Sequence, residues 1–338
     1  MTVPGVAPGI PLQKQIFPGL TPPLERCDQA RSRTADLGRI AATGIRGDAA
    51  CVSRCSGWAG WGGRWPNGCS RGTSPSRCGT GRRAGEVTAR GATEAADPAE
   101  AARDAEAVLI SLADDAAVRE VMTRLAGVEG PIFADMSTVS PDTSRALGEA
   151  APGGRFVAAP IIGGPVAVAE GQAFTLVGGD RELVDDLRPI WAEGFAVYRY
   201  CGADPGHAVT FKLLNNYLLM SSVAVLGEVV ATGLAAGVDD LLLRDFLLGW
   251  PTVPLAAHNR IDDILGGDHR GWFTTSLGAK DVRLAVEVAR AAGVDPPIAR
   301  LVQRRYEEAA ELGWADADIG AIVELLHPRR HAVRDEGR

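Results

Sequence analysis

The chain has 338 residues, of which 46% are hydrophobic and 23% are charged, and its formal net charge is -7. This composition is typical of a globular protein with one large domain or two ordinary ones. The negative charge, without a basic stripe interleaved with aromatic residues, argues against a nucleic-acid partner.

The sequence has no continuous window of about 18 or more apolar residues, and its N-terminus has no basic start followed by an apolar run. We therefore expect no membrane span, no secretory signal and a cytoplasmic protein. Of the six cysteines, only Cys201 lies after residue 80. This asymmetry indicates that two different kinds of sequence are joined.

The first part of the chain lacks the periodicity of a helix or a strand. Residues 51–83 combine glycine, arginine, tryptophan, serine and cysteine without a hydrophobic period. One interpretation is a disordered extension. A zinc site is a second, but the spacing of Cys51, Cys55, Cys69 and Cys78 does not match paired zinc knuckles.

A shifted reading frame gives a third interpretation of this segment. When the last base of each codon is joined to the first two of the next, Trp58-Ala59 and Trp61-Gly62 must each encode Gly, and Trp65-Pro66 must encode Ala. In that frame residues 55–70 permit V-L-G-L-G-R-M-G-x-P-M-A-x-R-L-L, a strand followed by G-x-G-x-x-G at the start of a helix. That order is a dinucleotide-binding fingerprint.

Residues 74–81 then permit an apolar strand that ends in V-W-N-R-T, which completes a first βαβ unit. We hypothesise that residues 1–50 are a non-native or disordered extension and that roughly residues 51–82 are the correct gene in the wrong frame.

From residue 84 onward, helical and strand patterns alternate as in an α/β domain. Asp97 and Pro98 predict the start of a helix that runs to Ala105. Buried parallel strands are predicted over residues 107–112 and 131–136, which are short apolar runs. From Gly206 to Gly233 the apolar pattern predicts a long helix that is buried over much of its circumference, and helices dominate the rest.

Four motifs carry a family resemblance: D-M-S-T-V-S-P at residues 135–141, A-P-I-I-G-G at 159–164, Gly206-x5-Lys212-x2-Asn215-Asn216, and Lys280-Asp281. In order and spacing they resemble the β-hydroxyacid dehydrogenases, which include 3-hydroxyisobutyrate dehydrogenase and are related to 6-phosphogluconate dehydrogenase. The resemblance implies an α/β Rossmann-like domain, with its first βαβ unit corrupted here, followed by an all-α domain. We expect the dinucleotide-binding domain at 51–205, the helical substrate and dimerisation domain at 206–330, and a tail at 331–338.

Lys212 is the predicted general acid/base, because a lysine that is partly desolvated in a cleft can exchange a proton near neutrality. Asn216 lies four residues later on the same helix face and is predicted to bind the same substrate oxygen. Phe211, Leu213, Leu214 and Leu218 argue that this face is buried rather than a surface with a snorkelling lysine.

The resemblance also places Lys280 near the cofactor and the substrate. The alternative is an ordinary residue at the start of a helix over residues 282–289, paired with Asp281. A cation is disfavoured at that end of a helix, so we favour a functional role.

Strand ends give the remaining candidates. Leu112 and Ala113 end one predicted strand, and Ser137 and Thr138 follow the next, where open α/β sheets bind ligands. They are predicted to contact the cofactor, although Ser and Thr also serve as turn and cap residues, as Ser140-Pro141 does.

Gly163 and Gly164 are predicted to let backbone amides approach the substrate. The usual family pattern is D-A-P-V-S-G-G, and this chain has Ala158 for the acid and Ile162 for the serine. The lost hydroxyl suggests a substrate less polar than a simple hydroxy acid.

The expected cofactor is NADP, on the reframed N-R-T, or NAD, and the expected partners are a small-molecule substrate and a second copy in a homodimer. The five histidines are scattered, so no metal is predicted. The alternatives are an imine reductase-like NADPH enzyme, a non-catalytic scaffold, and an inactive product that lacks its phosphate-binding turn.

Overall fold

A computed structural model describes residues 95–326 apart from Ala96 and Trp272, together with the backbone of five short strands before them. These strands are β1 (Glu25–Arg26), β2 (Arg39–Gly44), β3 (Cys51–Ser56), β4 (Ser76–Cys78) and β5 (Ala92–Glu94). The reframed glycine-rich turn, the side chains of the candidate zinc ligands and the 331–338 tail lie outside the described residues.

Strands and helices alternate through the next hundred residues. The strands are β6 (Ala107–Ser111), β7 (Ile132–Asp135), β8 (Phe156–Ala158), β9 (Ile161–Ile162), β10 (Phe174–Gly179) and β11 (Val197–Tyr200). The helices are α1 (Pro98–Ala102), α2 (Asp115–Leu125), α3 (Pro141–Ala150), α4 (Pro165–Ala169), α5 (Arg181–Asp186) and α6 (Arg188–Gly194).

Helices then dominate the chain. They are α7 (Pro205–Ala235), α8 (Asp240–Gly249), α9 (Leu255–His258), α10 (Ile261–Gly266), α11 (Thr275–Ala291) and α12 (Pro297–Ala309), followed by a 3-10 helix over Ile319–Leu326. The Rossmann-like domain followed by a helical region therefore agrees with the predicted fold class.

The main sheet has the strand order β1-β11-β10-β8-β7-β6-β2-β3, with β9 paired to β10. Strands β2, β6, β7 and β8 run parallel to one another, whereas β3 is antiparallel to β2 and β10 is antiparallel to β8. The strand beside β6 is Arg39–Gly44, which lies within the segment that we expected to be an extension.

Alternation along the strands builds a core on each face of the sheet, because successive side chains point to opposite faces. Val108 and Ile110 of β6 face a cluster that includes residues of α7. Leu109 faces the second cluster, which includes Trp191. A third cluster lies among the helices after Met220.

The predicted helix starts at Asp97-Pro98 and Ser140-Pro141 agree with the structure better than the predicted helix end at Ala105 does. Asp97 accepts a hydrogen bond from Ala99 N at 2.7 Å and caps α1, but this helix ends at Ala102 rather than Ala105. Ser140 caps α3 through Thr143 N at 3.1 Å, with Pro141 as the first helical residue.

The long helix α7 differs from its prediction, because part of its apolar surface is exposed. Phe211, Leu214, Leu218, Val225 and Val229 form a stripe along one face, and Leu218 is 68% exposed. By length and composition α7 is also apolar enough to cross a membrane, although the sequence has no continuous apolar run of that length. A uniformly apolar helix pattern does not reveal which face the fold covers.

Candidate active site

A cavity of about 1070 Å³ lies where the carboxyl ends of β6 and β7 meet helices α7 and α11. The strand side includes Leu112, Ala113, Thr138, Ile162, Gly163 and Gly164, and the helix side includes Lys212, Asn216, Lys280 and Asp281. The structure thus brings together eight of the nine residues that the sequence singled out, all except Ser137.

Lys212 and Asn216 leave the same face of α7, as their spacing of four residues predicts. They are 9% and 3% exposed, respectively. Leu213 is fully buried beside them, whereas Phe211, Leu214 and Leu218, which we took as signs of burial, lie on the exposed stripe. The burial of the lysine therefore does not come from these three apolar sequence neighbours.

Burial lowers the pKa of Lys212 to about 8, because the low-dielectric surroundings disfavour the ammonium form. The charge of Asp281 opposes this change, and the charge of Lys280 adds to it. No acceptor among the described residues lies within hydrogen-bond distance of Lys212 Nζ. The ammonium group can therefore give its hydrogen bond and its proton to a ligand in the cavity.

Asn216 is held in place by Asp281. Its Nδ2 donates to Asp281 Oδ2 at 2.6 Å, and its Oδ1 accepts from Asn215 Nδ2 at 3.1 Å. Because a carboxylate only accepts hydrogen bonds, this contact fixes which end of the amide faces α11.

Lys280 lies inside α11, which begins at Thr275 with Thr274 as its cap, so the predicted helix start at Lys280 is wrong. Its Nζ donates to Ala113 O at 2.9 Å and to Thr138 O at 2.5 Å, and lies 3.2 Å from Asp281 Oδ1. The lysine therefore joins α11 to the loops after β6 and β7. Pairing with Asp281, which we considered as the alternative, is also present.

Ser137 is the predicted site residue that the structure does not bring to the cavity. It is 3% exposed, and its hydroxyl accepts a hydrogen bond from Leu112 N at 2.8 Å. Its own amide donates to Asp135 Oδ1 at 3.0 Å. Ser137 thus joins the ends of β6 and β7 behind the cavity wall, while Thr138 lines the cavity.

Gly163 adopts a φ of +129°, a region that side chains rarely occupy. A Cβ there would lie 3.1 Å from Ala173 Cβ. Gly164 is the residue before α4. Glycine at 163 is thus required by the backbone as well as by any ligand that approaches it.

Asp281 is a site residue that we treated only as a pairing partner of Lys280. It is 3% exposed, and its Oδ1 accepts no hydrogen bond from any described residue, although Lys280 Nζ is near. The sequence signal was its position after Lys280. Its contact with Asn216, 65 residues away, is visible only in the fold.

The described half of the cavity fits the nicotinamide end of a dinucleotide. Leu112 and Ala113 offer an apolar wall at the carboxyl end of a parallel strand, beside a buried lysine without a protein acceptor. Fold and site together define an NAD(P)-dependent oxidoreductase with a Rossmann-like domain and a helical domain.

Comparisons with known proteins agree with this class. A sequence-family model, described as the NAD binding domain of 6-phosphogluconate dehydrogenase, matches residues 79–202. A second sequence-family model matches residues 206–326, and its description is "NAD-binding of NADP-dependent 3-hydroxyisobutyrate dehydrogenase".

Individual relatives extend the likeness over most of the described chain. An NADH-dependent oxidoreductase of Aspergillus ustus is 30% identical over 64% of this chain and 75% of its own length. The 3-sulfolactaldehyde reductase of Escherichia coli is 30% identical over 70% of this chain and 82% of its own.

Among solved structures, 3-hydroxyisobutyrate dehydrogenase of Mycobacterium tuberculosis with L-serine has a TM-score of 0.64 and 25% identity, covering 72% of this chain and 87% of its own. The chain belongs to the 3-hydroxyisobutyrate dehydrogenase-like family of β-hydroxyacid dehydrogenases. It is an NAD(P)-dependent dehydrogenase of the kind that acts on CH–OH groups.

Proposed function

We propose that the protein catalyses reversible hydride transfer between NAD(P)H and a small hydroxy acid or a related alcohol or carbonyl compound, with Lys212 as the general acid/base. The observation that carries this proposal is a buried lysine with a lowered pKa and no acceptor among the described residues. A group with a pKa near the working pH is best suited to move a proton.

Leu112, Ala113 and Thr138 would hold a nicotinamide, which would supply the hydride in reduction and accept it in oxidation. Lys212 gives its proton to the carbonyl oxygen during reduction, and takes the hydroxyl proton during oxidation. Asn216, anchored by Asp281, holds the same oxygen through its remaining amide proton. Lys280 holds α11 against the strand ends, so that both halves of the site keep their positions.

Replacement of Lys212 tests this assignment. We expect Lys212→Ala to lower kcat by about 10²- to 10⁴-fold, the usual effect of losing a positioned proton donor, while its affinity for NADPH, measured by fluorescence titration, stays equal to that of the same protein with Lys212. Lys212→Arg keeps the charge but exchanges no proton near neutrality, so it should not restore turnover.

Arg305→Ala is the control, because Arg305 pairs with Glu308 on the surface of α12. Wild-type turnover in Lys212→Ala would refute the assigned role.

We further propose an NADP preference and a shifted reading frame across roughly residues 51–82. The family model for the dinucleotide-binding domain matches only from residue 79, close to where the reframed sequence rejoins the present one. The strand end that selects between NAD and NADP belongs to the reframed segment.

A homodimer that covers the exposed stripe of α7 is the proposed assembly. The stripe runs along a 31-residue helix, and Leu241 and Phe246 of α8, 68% and 52% exposed, add to the apolar surface. Apolar patches of this extent on soluble proteins mark interaction surfaces. Light scattering should give twice the monomer mass for the protein itself, and the monomer mass for the double variant Leu218→Glu, Val225→Glu.

The cytoplasmic location stays a prediction.

A further inference from the structure

Five charged side chains among the described residues line the cavity, and three of them, Arg260, Lys280 and Asp281, lie beside a protein group of opposite charge. Among the described residues that line it, three are cationic: Lys212, Arg260 and Lys280. Lys280 is held by two backbone carbonyls and lies beside Asp281. Arg260 is paired with Asp318. Of the three cations, Lys212 therefore is the one without a partner of opposite charge within ion-pair distance among the described residues.

Arg260 is fully engaged with the protein. Its Nε and Nη2 donate to the two carboxylate oxygens of Asp318 at 2.9 and 3.4 Å, and its Nη1 donates to Asn259 Oδ1 at 3.0 Å. Both side chains of the pair are 3% exposed. A substrate carboxylate would have to break a buried ion pair to use this guanidinium, which is strongly unfavourable.

The helical side of the cavity has apolar walls at Leu219, Pro254, Phe273 and Leu277. Its neutral polar residues are Ser222, Asn259, Thr274 and Ser276. Ile162 lies on the strand side, where a hydroxyl is usual in the family, and offers no hydrogen bond. An acid, Asp316, also lines the cavity, and no described cation lies within ion-pair distance of it.

Among the described residues, Lys212 is the one cation available to a carboxylate in this cavity. Pairing would raise the pKa of Lys212 and direct its proton away from the carbonyl oxygen, against the effect of burial. Asp316 would repel the anion, and the apolar walls would leave it poorly solvated. The same walls would bind a hydrocarbon chain favourably.

We propose that the physiological substrate is an uncharged aldehyde or ketone, or the matching alcohol, with an apolar arm of several carbons that lies along Leu219, Pro254 and Phe273. This inference rests on the proposed function and narrows its substrate class. In reduction the carbonyl carbon gains a hydride from NAD(P)H, its oxygen gains the proton of Lys212, and NAD(P)⁺ and the alcohol are released. Solvent then returns the proton to Lys212.

Matched substrates of equal chain length test the proposal. We expect kcat/KM for the reduction of hexanal to exceed that for 6-oxohexanoate by at least about tenfold, a difference of about 1.4 kcal/mol. Equal or greater kcat/KM for 6-oxohexanoate would overturn the proposal, whereas the function proposed above would stand.

Binding decides the question if the chain reduces neither compound. Failure of a protein restored to the alternative frame across roughly residues 51–82 to reduce either compound would count against the proposed function. Saturation-transfer NMR on the full chain should then show tighter binding of 1-hexanol than of 6-hydroxyhexanoate. Equal binding, or tighter binding of the acid, would overturn the substrate class.

Reversing the charge of Asp316 gives a second, independent test. Asp316 is exposed, so Asp316→Lys should fold, and it supplies the missing cation at the cavity. We expect it to shift the preference toward the carboxylate compound by about tenfold. Glu149→Lys makes the same charge change on the exposed end of α3 and should leave the preference unchanged. An identical shift in both variants would contradict the role of Asp316.

Discussion

At the scale of single residues, the pKa of Lys212 makes a directional prediction for the pH dependence of catalysis. With a pKa of about 8, the protonated form that reduction needs is present below pH 8 and is lost above it. The kcat/KM for reduction should therefore fall about tenfold per pH unit above pH 8. For oxidation, which needs the neutral amine, kcat/KM should rise toward pH 8 and then level off.

Steady-state rates of both directions between pH 6 and 10 would measure these profiles. A reduction rate that stays constant up to pH 10 would show that another group supplies the proton.

Asp281 is predicted to act as a positioning residue for Asn216 and as the charge that keeps Lys212 protonated. Its charge raises the pKa of Lys212 against the effect of burial. Asp281→Asn removes this charge and weakens the 2.6 Å contact with Asn216. We expect kcat to fall by up to about 100-fold, as for misplaced catalytic groups, and the alkaline limb of reduction to begin below pH 8.

The displaced pH limb separates this role from a purely structural one, because mere destabilisation would not change the pKa of Lys212. Asp142→Asn is the matched control, since Asp142 pairs with Arg145 on the surface of α3. Asp281→Asn with an unshifted pH profile would rule out the electrostatic role.

At the scale of elements, α7 and α11 pack against each other and place Lys212 and Lys280 at one cavity. Gly278 of α11 makes this contact possible, because a Cβ there would lie 2.2 Å from Met220 Cε and 3.0 Å from Ile319 Cγ2. Met220 is fully buried and has little room to move. Gly278→Ala should therefore lower the free energy of unfolding by about 1–3 kcal/mol, the usual cost of overpacking.

Thermal unfolding would measure this change. Gly249→Ala at the end of α8 is the control, because no atom lies within 4 Å of its added Cβ. A Tm for Gly278→Ala equal to that of the control would show that α7 and α11 can separate without cost.

Some features of the site and of the sheet beside it could be predicted from the sequence, and others could not. The i, i+4 spacing predicted that Lys212 and Asn216 share a face, and short apolar runs predicted β6 and β7 to within two residues. The partners of Lys280 carry no sequence signal, because they are backbone carbonyls more than 100 residues away. The sequence predicted that Ser137 contacts the cofactor, yet its hydroxyl accepts a hydrogen bond from Leu112 N. Only the packing of the two strand ends decides between these partners.

At the scale of the whole molecule, the chain combines a family match that begins at residue 79 with an N-terminal part of different composition. A dinucleotide needs a phosphate-binding turn at the carboxyl end of the first strand, where glycines let the backbone approach the pyrophosphate. The present sequence has no G-x-G-x-x-G before residue 79, whereas the shifted frame permits one in its proper setting.

The frame hypothesis therefore predicts a large difference between two proteins, the present chain and one in which roughly residues 51–82 are restored to the alternative frame. In a fluorescence titration, the restored protein should bind NADPH at least about 100-fold more tightly, because the present chain lacks the turn that holds the pyrophosphate. Titration with NADH tests the N-R-T strand end, since a basic residue there favours the 2′-phosphate of NADPH. Equal binding of NADPH by both proteins would mean that another segment holds the phosphates, and the shifted frame would then have no functional support.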